Sequence, residues 1–127
     1  MQLTDVLVAK IAITLALWCP PLLFFPPSWF KRLGVPPPEP IVFARLLGAA
    51  FLALVVVYSH GWTESRQGKV PAVVVRAGVV SNGLAAVILT GYGVAGYWRE
   101  WGRWGRVYMW VSAAAGAGIT AGLLVGR

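Results

Sequence analysis

Charged side chains are scarce in this sequence, and acidic ones are the scarcest. Asp and Glu number 4 and Lys and Arg 11 among 127 residues, so that 12% of the chain is charged while 58% is hydrophobic. A soluble domain usually carries about 25% charged residues. This composition excludes a water-soluble surface and predicts a protein that lies in a membrane, where the net charge of +7 suits lipid headgroups better than nucleic acid.

Side chains that catalyse reactions or bind metals are nearly absent. His60 is the single histidine and Cys19 the single cysteine, which excludes an intramolecular disulfide and a first-row metal site. Cys19 lies in an apolar run with no histidine near it in sequence, which argues against a thiol nucleophile. The Gly-x-Gly-x-x-Gly pattern at 91–96 follows no strand and predicts no nucleotide site. We expect no catalytic residues, and enzyme activity stays an open question that leans towards none.

Long apolar segments fill most of the chain. A helix needs about 20 apolar residues to cross a bilayer core of about 30 Å, so 127 residues accommodate four spans with short connections. The sequence predicts one domain, an all-α integral membrane bundle of four antiparallel transmembrane helices. Their expected bounds are about 3–25, 41–58, 70–96 and 107–125.

Several local features of these segments can be predicted. Pro20 and Pro21 lack backbone donors and should kink or end the first helix. Residues 59–69 should form a polar loop. The third segment carries the most polar side chains, which should face protein rather than lipid, so we expect it to lie innermost.

Aromatic rings and cations cluster at the ends of the apolar segments, as is typical of membrane interfaces. Six Lys and Arg residues lie on the side of residues 26–45 and 98–106, and five lie on the opposite side. The positive-inside rule then favours termini outside the cytoplasm by a single charge. The predicted interface anchors are Trp29, Arg45, Trp98, Trp101 and Trp104.

Small residues recur every four positions in the fourth segment. Residues at this spacing share one helix face, where two backbones can approach closely. The sequence therefore predicts a helix-packing face at Ala114, Gly118, Gly122 and Gly126.

An antiparallel bundle would bring five ionisable residues towards one interface. A histidine, two carboxylates and two cations could relay protons or bind a quinone or lipid headgroup there. The alternative is that these side chains only snorkel to the headgroups. The residues are Asp5, Lys10, His60, Glu64 and Arg76.

Two smaller groups are weaker candidates. Arg76 and Asn82 are separated by about 240° around a helix, so they do not share a face, and hydrogen bonding between helices explains Asn82 better than a joint site. Arg45 could form ion pairs with Glu39 or Glu100, which would anchor the second helix.

The chain resembles a family in the segment Pro-Pro-Ser-Trp-Phe-Lys-Arg-Leu-Gly-Val-Pro-Pro-Pro and in the following Ala-Arg-Leu-Leu-Gly. Residues 20–96 are similar to small bacterial four-helix membrane proteins of the DoxX-like group, with Arg45 and Gly48 as the Arg-x-x-Gly motif. The resemblance implies an antiparallel four-helix membrane bundle, and some members of the group are linked to quinone-coupled redox complexes.

The sequence favours a multi-pass protein of the bacterial inner membrane that acts as a non-catalytic accessory or structural subunit. Its partners would be the bilayer and either further copies of itself or a larger membrane complex, without nucleic acid. A quinone-linked redox or small-solute transport protein is the alternative, and a lipid-binding module is the second. No cofactor is expected, except that a quinone is compatible with the alternative.

Overall fold

A computed structural model describes residues 2–126, which form helices joined by short connections. The first helical stretch has three parts, two α-helices with a π-helical segment at Thr14–Trp18 between them. A short helix then lies in the connection to the second long one. The α-helices are α1 (Leu3–Ile13), α2 (Cys19–Phe24), α3 (Pro27–Arg32), α4 (Ile41–Arg66), α5 (Ala72–Val94) and α6 (Arg103–Val125).

The predicted fold class is confirmed. Four helical spans, Leu3–Phe24, α4, α5 and α6, are long and apolar enough to cross a membrane. Their outward faces carry large apolar side chains that water would not tolerate over such an area, among them Leu46, Val56, Val87 and Leu124. We call the end with residues 66–72 and both termini the N-terminal side, and the end with residues 25–40 and 95–102 the hairpin side.

The first span continues across its two central prolines. Neither Pro20 nor Pro21 can donate a backbone hydrogen bond, and the ladder changes register just before them, where the Cys19 N–H bonds to the Thr14 carbonyl five residues earlier. Such π turns relieve a local break in the α-helical pattern. The span ends at Phe24, shortly before Pro26 and Pro27.

Side chains of other helices bind carbonyls that the prolines leave without a donor. In α-helical spacing the Leu17 carbonyl would bond to residue 21 and the Leu22 carbonyl to residue 26, and both of these are proline. The Tyr108 hydroxyl donates to the Leu17 carbonyl at 2.9 Å. The Arg45 guanidinium donates to the Leu22 carbonyl at 2.9 Å and to the Phe25 carbonyl at 2.8 Å. Arg45 therefore ties α4 to the end of α2.

The second span is longer than expected. α4 continues to Arg66 instead of ending near residue 58, so that most of the predicted polar loop is helical. The Ser59 and Thr63 hydroxyls donate to carbonyls one turn earlier, and the Arg66 guanidinium lies over the Trp62 ring at 5.1 Å. These contacts satisfy polar groups locally, so the helix extends into the headgroup region.

The packing of the bundle is uneven along its length. The α1–α2 span packs against α4 and α6, α6 packs along α5, and α4 and α5 contact each other far less. A hydrophobic cluster closes the N-terminal side, where Tyr58 and Val74 join residues of α1 and α6. Because a short turn holds α4 and α5 together only at that side, a cleft lies between them towards the hairpin side.

The expectation that the third span lies innermost was wrong. α5 buries the smallest share of its apolar stretch among the four spans. Of its four polar side chains, Ser81 and Asn82 face the bundle, whereas Arg76 and Thr90 are exposed. Val73, Val80 and Val87 are exposed as well, so the polar residues did not indicate the position of the whole helix.

Candidate ligand site in the membrane interior

A lysine side chain lies inside the bundle. Lys10 is 2% exposed, and its Nζ donates to the Asn82 Oδ1 at 2.8 Å. The same nitrogen lies 4.6 Å from the centroid of the Trp18 ring and 5.3 Å from that of Tyr58. Lys10 is seven residues into its span, about 10 Å from the end of the helix at 1.5 Å per residue, so its amine lies well below the headgroups.

The partners of Lys10 are themselves fixed by hydrogen bonds. Asn82 donates through its Nδ2 to the Gly78 carbonyl at 2.8 Å, and Tyr58 and Ser81 share a hydroxyl hydrogen bond of 3.0 Å. The Thr14 hydroxyl donates to the Lys10 carbonyl at 2.7 Å. This network holds the amine between α1, α4 and α5. We call Lys10, Trp18, Tyr58, Ser81 and Asn82 the Lys10 site.

A cavity of about 250 Å³ adjoins the Lys10 site. Its polar wall consists of Lys10, Asn82, Ser81 and Ser112, and the Trp18 Nε1 donates to the Ser112 hydroxyl oxygen at 3.0 Å. The rest of the wall is apolar and includes Leu47 and Phe51 on α4 and Ala85 and Leu89 on α5. The α4 and α5 residues border the cleft between these helices, so the cavity faces the lipid there.

This arrangement can hold a polar head and an apolar tail at the same time. Lys10 has donors beyond the one that Asn82 accepts, and Ser112 accepts from Trp18, which leaves its own proton for a further acceptor. Trp18 and Phe51, whose ring centroids lie 5.8 Å apart, both line the cavity and make part of its wall aromatic. A carbonyl or anionic oxygen would find donors here, and a hydrocarbon chain would leave through the cleft.

The five ionisable residues predicted as a cluster do not form one group. His60 and Glu64 approach to 3.8 Å, with side chains that are 74% and 36% exposed. Asp5 and Arg76 are exposed, and Lys10 points into the bundle. Within residues 2–126, the structure thus pairs His60 with Glu64 and places Lys10 at a different site.

The predicted interface anchors occupy different environments. Trp29 and Trp104 are exposed at the hairpin side and Trp101 is half-buried. Trp98 is 2% exposed and packs edge-on against Trp110. The Trp98 Nε1 has no hydrogen-bond partner among the described residues. Arg45 binds carbonyls within the bundle, whereas Glu39 and Glu100 are exposed.

The small residues of α6 divide between two faces. Gly122 is buried and Gly126 half-buried, but Ala114 and Gly118 are exposed, and a Cβ at Gly118 would meet nothing within 4 Å. Inside the bundle, α6 instead uses Gly116, where a Cβ would lie 3.2 Å from the Asn82 carbonyl oxygen. A packing role for Ala114 and Gly118 stays a prediction about contacts outside this chain.

Sequence reasoning considered Asn82 but missed its partnership with Lys10, and it missed Trp18, Tyr58, Ser81 and Ser112. One signal was available. One helix face carries Leu3, Leu7, Lys10 and Thr14, which follow one another at spacings of four, three and four residues. The two leucines indicate that this face points into the bundle. A lysine on the buried face of an apolar helix marks an interior polar site.

These features define the class of the protein. Four spanning helices, lipid-facing apolar surfaces and a buried polar site identify a multi-pass integral membrane protein. Comparison with models of protein families, with curated proteins and with solved structures finds no match. No group of three metal-binding side chains occurs in the described part of the chain. The function must therefore be argued from the site itself.

Proposed function

We propose that the protein binds a membrane-soluble amphiphile with a carbonyl-bearing ring, of which quinones are the principal class. One observation carries this proposal: the Lys10 amine is buried beside a cavity of about 250 Å³, and its hydrogen-bond partner is a neutral amide. An intramembrane lysine is costly to maintain and is usually functional. Its amine can donate to a ring carbonyl in the cavity.

The shape of the site supports a ring with a tail. Trp18 and Phe51 line the cavity and offer aromatic contacts to a planar headgroup. Leu47 and Leu89 line the cavity where α4 and α5 diverge, which gives an isoprenoid or alkyl chain an exit to the bilayer. The role that we propose is binding, delivery or transport of the amphiphile.

Titration with a soluble short-chain quinone tests this function. Isothermal titration calorimetry of the purified protein in mild detergent should show saturable binding to one site. Lys10→Met keeps the length and volume of the side chain but removes the donor, and should weaken binding about tenfold or more, as for the loss of a hydrogen bond to a charged group. Lys69→Met, in the exposed turn, is the matched control. Equal affinity of wild type and Lys10→Met would contradict the proposal.

A second role, as an accessory or structural subunit, is favoured by the exposed small residues of α6. Ala114 and Gly118 lie on the lipid-facing surface with open space above Gly118, and such surfaces let helices of another chain approach closely. Gly118→Leu should disrupt an oligomer or complex observed by native mass spectrometry. Gly91→Leu, at another exposed glycine with open space, should leave it intact, and equal effects would argue against an α6 interface.

The two roles are compatible, because a subunit of a larger complex can also hold a quinone. The DoxX-like resemblance of residues 20–96 and a bacterial inner-membrane location belong to this proposal as well. Both rest on the proline-rich segment at residues 26–38 and on the Arg-x-x-Gly motif formed by Arg45 and Gly48.

A further inference from the structure

A second cavity, larger than the one at Lys10, lies at the hairpin side. It has a volume of about 420 Å³ and lies between α2, the segment that follows α3, and the first turns of α6. Its lining is almost entirely apolar and includes Pro21, Leu33, Val35, Trp104, Val107 and Val111. We call it the hairpin groove. Leu22, Tyr108 and Met109 line both cavities and form the wall between them.

Backbone contacts fix one side of the hairpin groove. Gly34 has a φ of 75°, and a Cβ there would collide with the Gly102 Cα, so the two backbones touch. The Gly102 N–H donates to the Gly34 carbonyl and the Gly105 N–H to the Leu33 carbonyl, both at 2.9 Å. These bonds satisfy amides at the start of α6 and hold the loop against it. Backbone hydrogen bonds therefore hold one wall of the hairpin groove in place.

The hairpin groove is open along α6. Its lining residues Val107 and Val111 are 44% and 46% exposed, and they belong to a helix that is long and apolar enough to cross a membrane. An apolar groove on such a helix suits a hydrocarbon chain.

Exposed cations flank the lining residues of the hairpin groove in the sequence. Lys31 and Arg32 adjoin the lining residues Phe30 and Leu33, and Arg103 and Arg106 adjoin Trp104 and Gly105. With Arg99 these make five exposed cations on the hairpin side, against two exposed carboxylates, Glu39 and Glu100. On the N-terminal side, the described residues include only three exposed cations, Arg66, Lys69 and Arg76, beside Asp5 and Glu64.

We propose that the hairpin groove binds one anionic phospholipid, with an acyl chain in the groove and the phosphate among these cations. The cations beside the groove favour an anionic headgroup over a zwitterionic one. The apolar lining of the groove favours an acyl chain. The site is separate from the Lys10 site and does not depend on the function proposed for it.

Native mass spectrometry of protein mixed with equal amounts of phosphatidylglycerol and phosphatidylcholine of identical chains tests the headgroup. We expect one retained phosphatidylglycerol. The double variant Lys31→Gln with Arg32→Gln should lower its retention by roughly thirtyfold, as expected for two cations near a membrane surface. Arg66→Gln with Lys69→Gln removes the same charge from the other side and should leave retention unchanged. Equal retention of both lipids, or equal losses in both double variants, would overturn the proposal.

A second pair of variants tests the position of the acyl chain. Val111→Trp fills the groove from its lipid-facing edge and should abolish retention of the phospholipid. Val80→Trp places the same ring on an exposed position of α5 that does not line the groove and should have no effect. Lys10→Met should also retain the phospholipid, which separates this site from the quinone site. Wild-type retention by Val111→Trp would exclude the groove as the binding place.

Discussion

At the scale of single residues, the hydrogen bond between Lys10 and Asn82 is the contact on which the interior site depends. Both side chains are 2% exposed, so each satisfies the other where water is absent. Removing one partner of a buried pair leaves the other unsatisfied at a cost of about 1–3 kcal/mol, whereas replacing both with apolar groups can be nearly neutral.

We therefore expect Asn82→Leu to lower the free energy of unfolding by about 1–3 kcal/mol, and Lys10→Met to suppress much of that loss in the double variant. Reversible unfolding in mixed micelles, followed by circular dichroism, measures the four members of this double-mutant cycle. Additive effects of the two substitutions would show that the side chains do not interact.

Tyr108 makes a different kind of contact, because its hydrogen-bond partner is a backbone carbonyl of another helix. Its hydroxyl donates to the Leu17 carbonyl. In a regular α-helix this carbonyl would accept from the amide of residue 21, but residue 21 is a proline without an N–H. Tyr108→Phe should lower the unfolding free energy by about 1 kcal/mol, a typical value for one hydrogen bond within a membrane bundle. Tyr97→Phe, at a position that is 66% exposed, should change it little. A Tyr108→Phe variant as stable as wild type would mean that Leu17 finds another donor.

The prolines illustrate what can and cannot be predicted at this scale. Pro20 and Pro21 indicate a disturbed helix because they lack donors, and the π turn before them fits that expectation. Which side chains compensate is set by residues 45 and 108, which are remote in sequence. Arg45 was predicted to snorkel or to pair with a carboxylate, but its position beside α2 depends on the packing of α4, which no local pattern encodes.

At the scale of helices, α4 and α5 make their close contact at Gly61. A Cβ there would lie 2.7 Å from the Val74 Cγ1 and 3.0 Å from its Cβ, and the β-branched valine has little freedom to move away. Gly61→Ala should destabilise the protein by about 1–3 kcal/mol through overpacking. Gly83→Ala, where the nearest atom is 3.6 Å away, is the control in the same unfolding measurement, and equal stabilities of the two variants would contradict this close approach.

The number of the spans and their helical type could be predicted from the sequence, because a span of about 20 apolar residues has few other solutions in a bilayer. The end of α4 could not. α4 was expected to end near residue 58, where the composition turns polar, but Ser59 and Thr63 bond to their own helix and the helix continues. Polarity shows where a helix leaves the hydrocarbon, and the helix itself can continue beyond that point.

At the scale of the whole molecule, uneven packing produces the two cavities. The N-terminal side is closed by the hydrophobic cluster around Tyr58 and Val74. The hairpin groove lies between α2 and α6, and the Lys10 cavity lies beside α4 and α5, which contact each other little. Apolar composition alone could not predict this, because lipid-facing and protein-facing positions carry the same kinds of residue. The Lys10 site became visible only when the helices were placed beside one another.

The same placement changes the count of basic residues behind the expected orientation in the membrane, but not its margin. Lys10 and Arg45 bind groups inside the bundle, so neither contributes a charge at the headgroups. The remaining sequence count is five basic residues on the hairpin side (31, 32, 99, 103 and 106) and four on the N-terminal side (66, 69, 76 and 127). The excess of a single charge still favours the hairpin side as cytoplasmic, and so small an excess should be reversible.

Thr63→Arg with Gln67→Arg adds two charges at exposed positions of the N-terminal side and gives that side the excess. In a bacterial host, a C-terminal alkaline phosphatase fusion should be active for wild type and inactive for the double variant, and a green fluorescent protein fusion should show the reverse. Thr63→Gln with Gln67→Asn is the uncharged control and should behave as wild type. Phosphatase activity that survives the two arginines would show that the packing of the hairpin side, and not its charge, sets the orientation.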